Sequence, residues 1–288
     1  HHPDITWCSE FEYSIDLVSD EGDWPSLDTY YAWLEIHRIF QSHQFSIDAT
    51  LSYLELMTSF LVQQRDRNQK SVLGATVHRH FDRLLKLWPN ARFIHIVRDG
   101  RDVTRSCIRI GWAGNVWTGI ERWMEAEQLW STMKASLPAD RYVETTYEQL
   151  ITDPEGVLAQ VCAFIGVEYS PAMMAYAEST TYNKPDASLI TKWKKNMSEH
   201  EIRLVESRIA DMLVQRGYPL SGLPKLTVTP WMKLHIRIQD RWGRIQARLE
   251  RYGFKLVASD FLSRKLNLTA WQKQTQLAIN AIIQERIR

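Results

Sequence analysis

The sequence predicts an α/β protein in which a three-layer domain, built on a parallel sheet, is followed by a helical C-terminal extension. Short apolar runs of strand length recur along the chain, and segments of helical periodicity separate them. Strand, helix, strand, turn and helix follow one another, and this order favours parallel strands joined by right-handed crossovers. The extension is indicated by residues 231–252 and 271–287, which carry the periodicity of two helices.

The charges of this chain are unevenly spread. The 288 residues carry a formal net charge of +1, so no general attraction to nucleic acid is expected. Residues 219–288 hold 13 Lys and Arg against 4 Asp and Glu, whereas the rest of the chain is acidic on balance. The C-terminal part is therefore a basic extension of an otherwise acidic protein.

The cysteines argue against a disulfide framework and a zinc site. Cys8, Cys107 and Cys162 lie far apart and form no Cys-x-x-Cys pair. A reducing compartment is the simpler interpretation, and we expect a cytoplasmic protein. No run approaches the ~18 apolar residues that a membrane span needs.

The first part of the chain combines irregular and helical segments. Residues 1–50 are rich in aromatic side chains, and residues 30–40 have the spacing of a helix. Residues 47–62 predict a stronger helix, with Asp48 as its candidate N-cap. Residues 71–76 predict the first strand.

A second predicted strand and the turn after it form the centre of the domain. Residues 81–87 predict a helix that ends before Pro89, and residues 92–97 form the next apolar run. That run stops at residues 98–102, where charge and a glycine arrive together and helix-compatible residues follow. The pattern predicts a buried strand, a tight turn and a helix start, which is where open α/β sheets bind ligands.

The elements after this turn are marked by helix caps. Pro154 follows Asp153 at a helix start, and Gly166 closes that helix. Ser198 and Glu201 have the spacing of a capping box. The expected order is a helix at 120–133, a strand at 141–145, a loop opened by Tyr147, a helix at 157–165, a polar loop at 182–188 and a helix from Ser198 to near Gly217.

Residues 219–229 contain Pro, Gly and Ser and predict a linker, which divides the chain into a domain at 1–218 and an extension at 219–288. Beyond the linker, apolar residues recur at steps of three and four, and another face of the helix is strongly basic. Packing of the apolar face on the domain, or self-association, is favoured over contact with an anionic membrane surface. The apolar positions are Trp231, Leu234, Ile238, Trp242, Ile245, Leu249 and Tyr252.

The turn after the second strand is rich in arginine. Arg98, Arg101 and Arg105 precede Ser106 within a few residues. Guanidinium groups grip phosphate bidentately, and a helix N-terminus favours negative charge, so Arg98 and Ser106 are candidate phosphate ligands. Arg101 and Arg105 are expected on a solvated helix face, paired with the neighbouring aspartates.

Residues 98–103 read Arg-Asp-Gly-Arg-Asp-Val, and this motif with Ser106 resembles the 3′-phosphate-binding turn of sulfotransferases that use 3′-phosphoadenosine 5′-phosphosulfate (PAPS). Segments around Tyr147 and Lys192 resemble two further parts of that family, and the resemblance covers residues 1–218. It implies a P-loop-NTPase-like fold and PAPS as the sulfuryl donor. It also implies that Arg98 and Ser106 hold the 3′-phosphate, Tyr147 lies beside the adenine and Lys192 covers the nucleotide.

The same resemblance implies a catalytic base just past the first predicted strand. His78 is the candidate and His80 the second choice, because members of the family place a His or a Glu there. A histidine that titrates near neutrality suits the removal of a proton from an acceptor hydroxyl or amine. The reaction requires no metal.

One part of the family pattern is missing from the sequence. Family members begin with a glycine-rich loop of the type Pro-Arg-Ser-Gly-Thr-Thr for the 5′-phosphosulfate, and residues 2–5 resemble the segment that normally follows it. The chain is therefore expected to start one β-α unit late. The alternative hypothesis is a non-catalytic nucleotide-binding or scaffold protein with this fold. A P-loop kinase is disfavoured because no Gly-x-x-x-x-Gly-Lys-Ser/Thr motif occurs.

The acceptor is not specified by any motif. Residues 7–50 and 107–120 are the candidate walls of its pocket, since such pockets are built from variable loops. A small molecule, a carbohydrate or a peptide tyrosine would all fit, and self-association or peripheral membrane contact through residues 230–288 remains open. Four tryptophans are expected in the core, as is His95: Trp112, Trp117, Trp123 and Trp130.

Overall fold

The computed structural model describes the backbone of residues 2–178 and 186–287, and the side chains of residues 2–175 and 186–285. Most of the predicted polar loop at 182–188 lies outside the described residues. Within the described ranges, no helix combines the length and the apolar character that crossing a membrane would require.

The described chain is an α/β protein with short parallel strands and a helical C-terminal part. The strands are β1 (Ile5–Cys8), β2 (Val72–Ala75), β3 (Phe93–Val97) and β4 (Tyr142–Thr146). The α-helices are α1 (Leu27–Leu34), α2 (Arg38–His43), α3 (Tyr53–Asn68), α4 (Leu84–Leu87), α5 (Gly100–Ile110), α6 (Val116–Gly119), α7 (Glu121–Lys134), α8 (Tyr147–Thr152), α9 (Pro154–Ile165), α10 (Trp193–Asn196), α11 (Glu199–Gln215), α12 (Pro230–Lys265) and α13 (Thr269–Ile287). Short 3₁₀ helices cover Phe11–Ser14, Phe81–Arg83, Ala139–Arg141, Pro171–Glu178 and Ala187–Leu189.

The strands form two parallel pairs. β1 pairs with β2 in the register Ile5 to Val72, and β3 pairs with β4 in the register Phe93 to Tyr142. The predicted strands at 71–76, 92–97 and 141–145 are confirmed as β2, β3 and β4. β1 was not predicted, because its residues, Ile-Thr-Trp-Cys, do not stand out in pattern from the aromatic-rich segment that they begin.

The chain folds as two compact units, one formed by residues 1–97 and 128–187 and the other by residues 98–127 and 188–288. We call them unit 1 and unit 2. The chain passes from unit 1 to unit 2 at the end of β3 and returns within α7. The division at 218/219 stays a prediction about domain organisation.

An aromatic cluster forms the core of unit 1. Phe11 and Tyr13 meet edge to face with ring centroids 4.7 Å apart, and Tyr13 also packs on Phe60 of α3. Tyr30 of α1 and Tyr53 of α3 extend the cluster in the same manner, with centroids 5.0 Å apart. The aromatic-rich N-terminal segment is therefore core, and the large side chains contribute buried area as well as favourable ring geometry.

Two predictions about the first helices were wrong in detail. The helix expected at 30–40 is two helices, because His37 adopts extended backbone angles and its ring accepts a hydrogen bond from the N–H of Phe40. Asp48 does not cap α3. Ser52 caps it, in a capping box with Glu55.

Unit 2 is helical, and α5 lies at its centre. Gly100 begins α5 where no side chain fits, since an added Cβ would lie 2.9 Å from Trp123 and 3.0 Å from both Ile120 and Ile209. The capping box of Ser198 and Glu201 at the start of α11 is confirmed. α12 is interrupted at Gly253, which has φ 75° and ψ 159°, so its two halves are separate helical segments.

Candidate functional site

The arginine-rich turn lies between β3 and α5. Asp99 is the N-cap of α5, and its carboxylate accepts a hydrogen bond from the N–H of Arg101 at 2.9 Å. The indole N–H of Trp123 donates to the carbonyl oxygen of Arg98 at 2.9 Å. The helix start is therefore fixed from both sides, with Arg98 as the last residue before it.

The Arg98 side chain reaches a segment that is distant in sequence. Its guanidinium donates to the carbonyl oxygen of Leu189 at 2.9 Å and lies 3.8 Å from the carboxylate of Asp102. The guanidinium is partly exposed, so it keeps access to solvent as well as these contacts. A cation held in this way before a helix N-terminus suits an anionic ligand.

Asp102 ties the same distant segment to α5. Its carboxylate accepts a hydrogen bond from the backbone N–H of Trp193 at 2.7 Å. Lys192 precedes Trp193, is half-buried, and its ammonium makes no hydrogen bond or ion pair with the residues that the structure describes. The structure therefore brings the Lys192 segment against the turn that carries Arg98.

Arg101 corrects the sequence-based expectation of a solvated helix face. Its side chain is only 1% exposed and lies between the carboxylates of Asp99 and Glu206, each 2.7 Å away. It also donates to the carbonyl oxygen of Pro219 at 2.9 Å, and its guanidinium lies 3.7 Å from the ring centroid of Trp193. Arg101 is thus a buried cation that joins α5, α10, α11 and the segment after α11.

Arg105 and Ser106 lie one turn further along α5. Arg105 is on the surface as expected, 40% exposed, and its guanidinium is 3.3 Å from the Glu201 carboxylate. Ser106 is half-exposed, and its hydroxyl makes no hydrogen bond with the part of the chain that the structure describes. The hydroxyl can therefore serve a ligand without breaking a contact.

His78 lies in unit 1, just beyond β2, and is oriented by Glu12. Its Nδ1 is 2.5 Å from Oε1 of Glu12, and its backbone N–H donates to the same oxygen at 2.9 Å. The hydrogen bond that the His78 ring donates to Glu12 raises the pKa of His78, against the opposing effect of burial. Burial works to raise the pKa of Glu12, but the hydrogen bonds and charge of His78 outweigh it, so that pKa is lowered.

The His78–Glu12 pair has the arrangement of an oriented general base. With Nδ1 held by the buried Glu12 carboxylate, Nε2 is the ring nitrogen left to accept a proton, and the ring is 64% exposed. His80 has a left-handed backbone (φ 50°), and its exposed side chain has no such carboxylate among the residues described. The geometry favours His78 over His80.

Sequence reasoning did not find Glu12. It is 66 residues from His78, and no motif connects the two. The available signal was weak: Glu12 is a single acid inside the apolar run Phe11 to Ile15, and an acid buried in such a run requires a partner.

Tyr147 also lies in unit 1, as the first residue of α8. Thr146 caps this short helix through the N–H of Gln149, in a further capping box, so the loop expected after β4 is a helix instead. The Tyr147 side chain is half-buried. The five predicted site residues thus divide between the units: His78 and Tyr147 belong to unit 1, whereas Arg98, Ser106 and Lys192 belong to unit 2.

A small cavity of about 220 Å³ opens in unit 2, and parts of the predicted acceptor wall line it. Trp112 is exposed at its edge and lies under the Arg122 guanidinium, 4.3 Å from ring centroid to Cζ, so its expected core position is wrong. The other lining residues are Cys107, Ala113, Thr118, Gly119, Glu121, Glu125 and Arg244.

The other three tryptophans and His95 are buried or half-buried in the structure. Trp123 and Trp130 are buried as expected, whereas Trp117 is half-buried beneath the Arg208 guanidinium. His95 stacks on Trp130 with ring centroids 4.5 Å apart and lies 3.5 Å from the Glu144 carboxylate. Its side chain is only 13% exposed, so His95 is largely buried, as expected from the sequence.

No group of three or more His, Cys, Asp or Glu side chains that could hold a metal occurs in the described part of the chain. The candidate donors of the site are guanidinium, ammonium and hydroxyl groups around the start of α5. Guanidinium and ammonium groups bind anions and do not coordinate cations, and a hydroxyl can donate a hydrogen bond to a phosphate oxygen. The donor set therefore fits a phosphate-bearing ligand.

Comparison with known proteins gives these residues a context. The model of the family described as "Sulfotransferase family" matches residues 1–171, more than half of the chain. The chain is 25% identical over 122 residues to a protein-tyrosine sulfotransferase of Drosophila melanogaster and, over the same length, to protein-tyrosine sulfotransferase 2 of Gallus gallus. These matches cover 40% of this chain but only 24% and 32% of the two relatives.

Two solved structures resemble the chain at 18% identity. One is a sulfotransferase domain from the curacin biosynthetic pathway, with a TM-score of 0.48 and coverage of 68% of this chain and 75% of that one. The other is a sulfotransferase domain from the Synechococcus PCC 7002 olefin synthase, with a TM-score of 0.46 and coverage of 74% of both chains.

Proposed function

This chain belongs to the sulfotransferase family, and from that premise we propose that it acts with PAPS as the donor of a sulfuryl group. The acceptor is a hydroxyl or amine of a small molecule, a carbohydrate or a peptide. Arg98 and Ser106 hold the 3′-phosphate of the nucleotide, Lys192 covers it, and Tyr147 packs beside the adenine. His78 removes the proton of the acceptor.

One observation carries the nucleotide part of this proposal. Arg98 and Lys192 are 94 positions apart in sequence, yet the hydrogen bonds of Arg98 to Leu189 and of Asp102 to Trp193 join their segments. Two segments that were separately expected to contact the same nucleotide thus meet at one helix start. A guanidinium, an ammonium and the positive end of α5 together favour a phosphate over a neutral ligand.

The chemistry proposed for His78 follows from its pairing with Glu12. When bound, PAPS supplies an activated sulfuryl group, which passes to the acceptor oxygen or nitrogen as its bond to the nucleotide phosphate breaks. Nε2 of His78 takes the proton that the acceptor loses, while Glu12 holds Nδ1 and stabilises the imidazolium that forms. The phosphate-binding residues hold the nucleotide in place during the transfer.

The cellular location and the alternative function rest on fewer observations. Cys8, Cys107 and Cys162 are all buried as free thiols, which suits the reducing cytoplasm expected from the sequence.

The alternative function, a non-catalytic nucleotide-binding or scaffold protein, predicts the same nucleotide affinity without sulfuryl transfer. Incubation with labelled PAPS and a phenol, an oligosaccharide and a tyrosine peptide separates the two, since only the enzyme yields labelled acceptor.

Calorimetric titration with 3′,5′-adenosine bisphosphate tests the nucleotide site. Arg98→Ala removes charge-assisted hydrogen bonds worth about 1.5–3 kcal/mol each, so Kd should rise roughly tenfold to a hundredfold. Arg105→Ala, on the same helix but paired at the surface with Glu201, should bind like the wild type. Equal affinity of the Arg98→Ala variant and the wild type would overturn the assignment.

A further inference from the structure

The first half of α12, residues 230–252, is attached to the rest of unit 2 by one narrow face. We call it the basic helix. The Asp240 carboxylate accepts a hydrogen bond from the N–H of Gly114 at 2.8 Å, and the Asn115 amide donates to the carbonyl oxygen of Ile236 at 2.7 Å. Gly243 presses on Gly114 so closely that an added Cβ would lie 2.7 Å from the Gly114 Cα. The attached face therefore follows positions 236, 240 and 243.

The apolar stripe of the basic helix is on the opposite side. Trp231 is 80% exposed and Trp242 is 68% exposed. At about 100° per residue, the centre of the stripe lies roughly 190° around the helix from the attached face. The stripe, which consists of Trp231, Leu234, Ile238, Trp242, Ile245 and Leu249, is exposed at every position.

This arrangement corrects the sequence-based preference for packing of the stripe on the domain. The basic helix packs through a small, partly polar face and turns its large apolar side chains outward. Because 18 residues make five helical turns, the stripe runs straight along the helix for about 27 Å. An apolar strip of that length, left in water, marks an interaction surface.

A row of cations borders the stripe along one edge. The cations are Lys233, Arg237, Arg241, Arg244, Arg248 and Arg251, at steps of three and four that keep them on one flank. Arg244 is paired with Asp240, and Arg248 with Asp260. Lys233, Arg237 and Arg241 make no ion pair with the residues that the structure describes. The other flank carries His235, Gln239, Gln246 and Glu250.

We propose that the basic helix binds to the surface of a bilayer that contains anionic lipids, lying in the plane of the membrane. The apolar stripe enters the boundary between headgroups and acyl chains, and its two tryptophans occupy the depth that indole rings favour. The row of cations contacts the anionic headgroups beside it, and the attached face holds unit 2 against the membrane.

Charge decides between a membrane and a second copy of the chain. Along residues 231–251 the only acids are Asp240, which is buried and bonded to Gly114, and Glu250. A second copy of this surface would therefore bring a row of cations with almost no carboxylates to pair with them. An anionic bilayer offers negative charge along the whole row together with an apolar layer for the stripe.

Co-sedimentation of the full chain with vesicles tests the proposal. Vesicles of phosphatidylcholine with 30% phosphatidylserine should bind the protein at least tenfold more tightly than phosphatidylcholine alone, and 0.5 M salt should abolish most of the difference. Trp231→Ala/Trp242→Ala should weaken binding to the anionic vesicles at least tenfold. Both side chains are largely exposed, so a thermal melt should match that of the wild type.

A second pair of variants tests the cations. Arg237→Gln/Arg241→Gln should reduce binding to anionic vesicles at least fivefold, whereas Lys194→Gln/Lys195→Gln, which removes two exposed cations elsewhere in unit 2, should reduce it much less. Equal binding to both vesicle types, no binding to either, or equal losses in the two pairs would overturn the proposal. So would a dimer in light scattering that the double tryptophan variant dissociates, because the stripe would then be covered by a second copy.

Discussion

Replacement of Arg101 by methionine should be one of the most destabilising single changes in unit 2. The variant keeps a long side chain but removes the cation that lies 2.7 Å from both Asp99 and Glu206. Asp99 is as buried as Arg101, and Glu206 is only slightly more exposed, so two carboxylates would lose their partner in a poorly solvated site. Removal of one member of a buried ion pair costs about 3–5 kcal/mol.

The expected effect is large enough for a thermal melt. For a chain of this size, roughly 2–4 °C is lost per kcal/mol, so the melting temperature of Arg101→Met should fall by about 10 °C. Arg105→Met is the matched control, because its pair with Glu201 is at the surface and contributes less than about 1 kcal/mol. Addition of Glu206→Gln to Arg101→Met should restore part of the loss, since one unpaired carboxylate is neutralised.

Similar melting temperatures for Arg101→Met and Arg105→Met would refute this reasoning. They would mean that Arg101 is solvated, as the sequence alone had indicated. A further loss on addition of Glu206→Gln would also contradict it, because an amide should be easier to bury than an unpaired carboxylate.

Two more predictions concern His78 and Gly100. Glu12→Gln removes the partner that raises the pKa of His78, so the pKa of His78 should fall. The acidic limb of the pH–rate profile should then move to lower pH. An NMR titration of the His78 ring measures this pKa, and an unchanged value would show that Glu12 does not raise it. Gly100→Ala places a methyl group 2.9–3.0 Å from Trp123, Ile120 and Ile209 and should cost about 1–3 kcal/mol in chemical denaturation, whereas no loss would show that the start of α5 can shift.

Local signals in the sequence were sufficient to predict the element that holds Arg98 and Ser106 and the start of α11. Charge and glycine after an apolar run predicted the turn between β3 and α5, and the Ser198–Glu201 spacing predicted the start of α11. Each of these signals comes from residues within a few positions of one another. Backbone hydrogen bonding and helix capping are decided at that range.

Contacts between residues that are distant in the chain could not be predicted from the sequence. The burial of Arg101 depends on Glu206 and Trp193, about a hundred positions away, and nothing at Arg101 itself distinguishes it from the exposed Arg105. The orientation of His78 by Glu12 has the same origin. The basic helix shows a further limit, because its periodicity predicted an apolar face but not that the attached face would be the opposite one.

The most direct test of the central claim is whether Arg98 recognises a 3′-phosphate. The affinities of the wild type and of Arg98→Ala are measured for 3′,5′-adenosine bisphosphate and for 5′-AMP, which lacks only that phosphate. The account predicts that the wild type prefers the bisphosphate by roughly tenfold to a hundredfold and that Arg98→Ala loses most of this preference. An equal preference in both proteins, with or without a general loss of affinity, would contradict it.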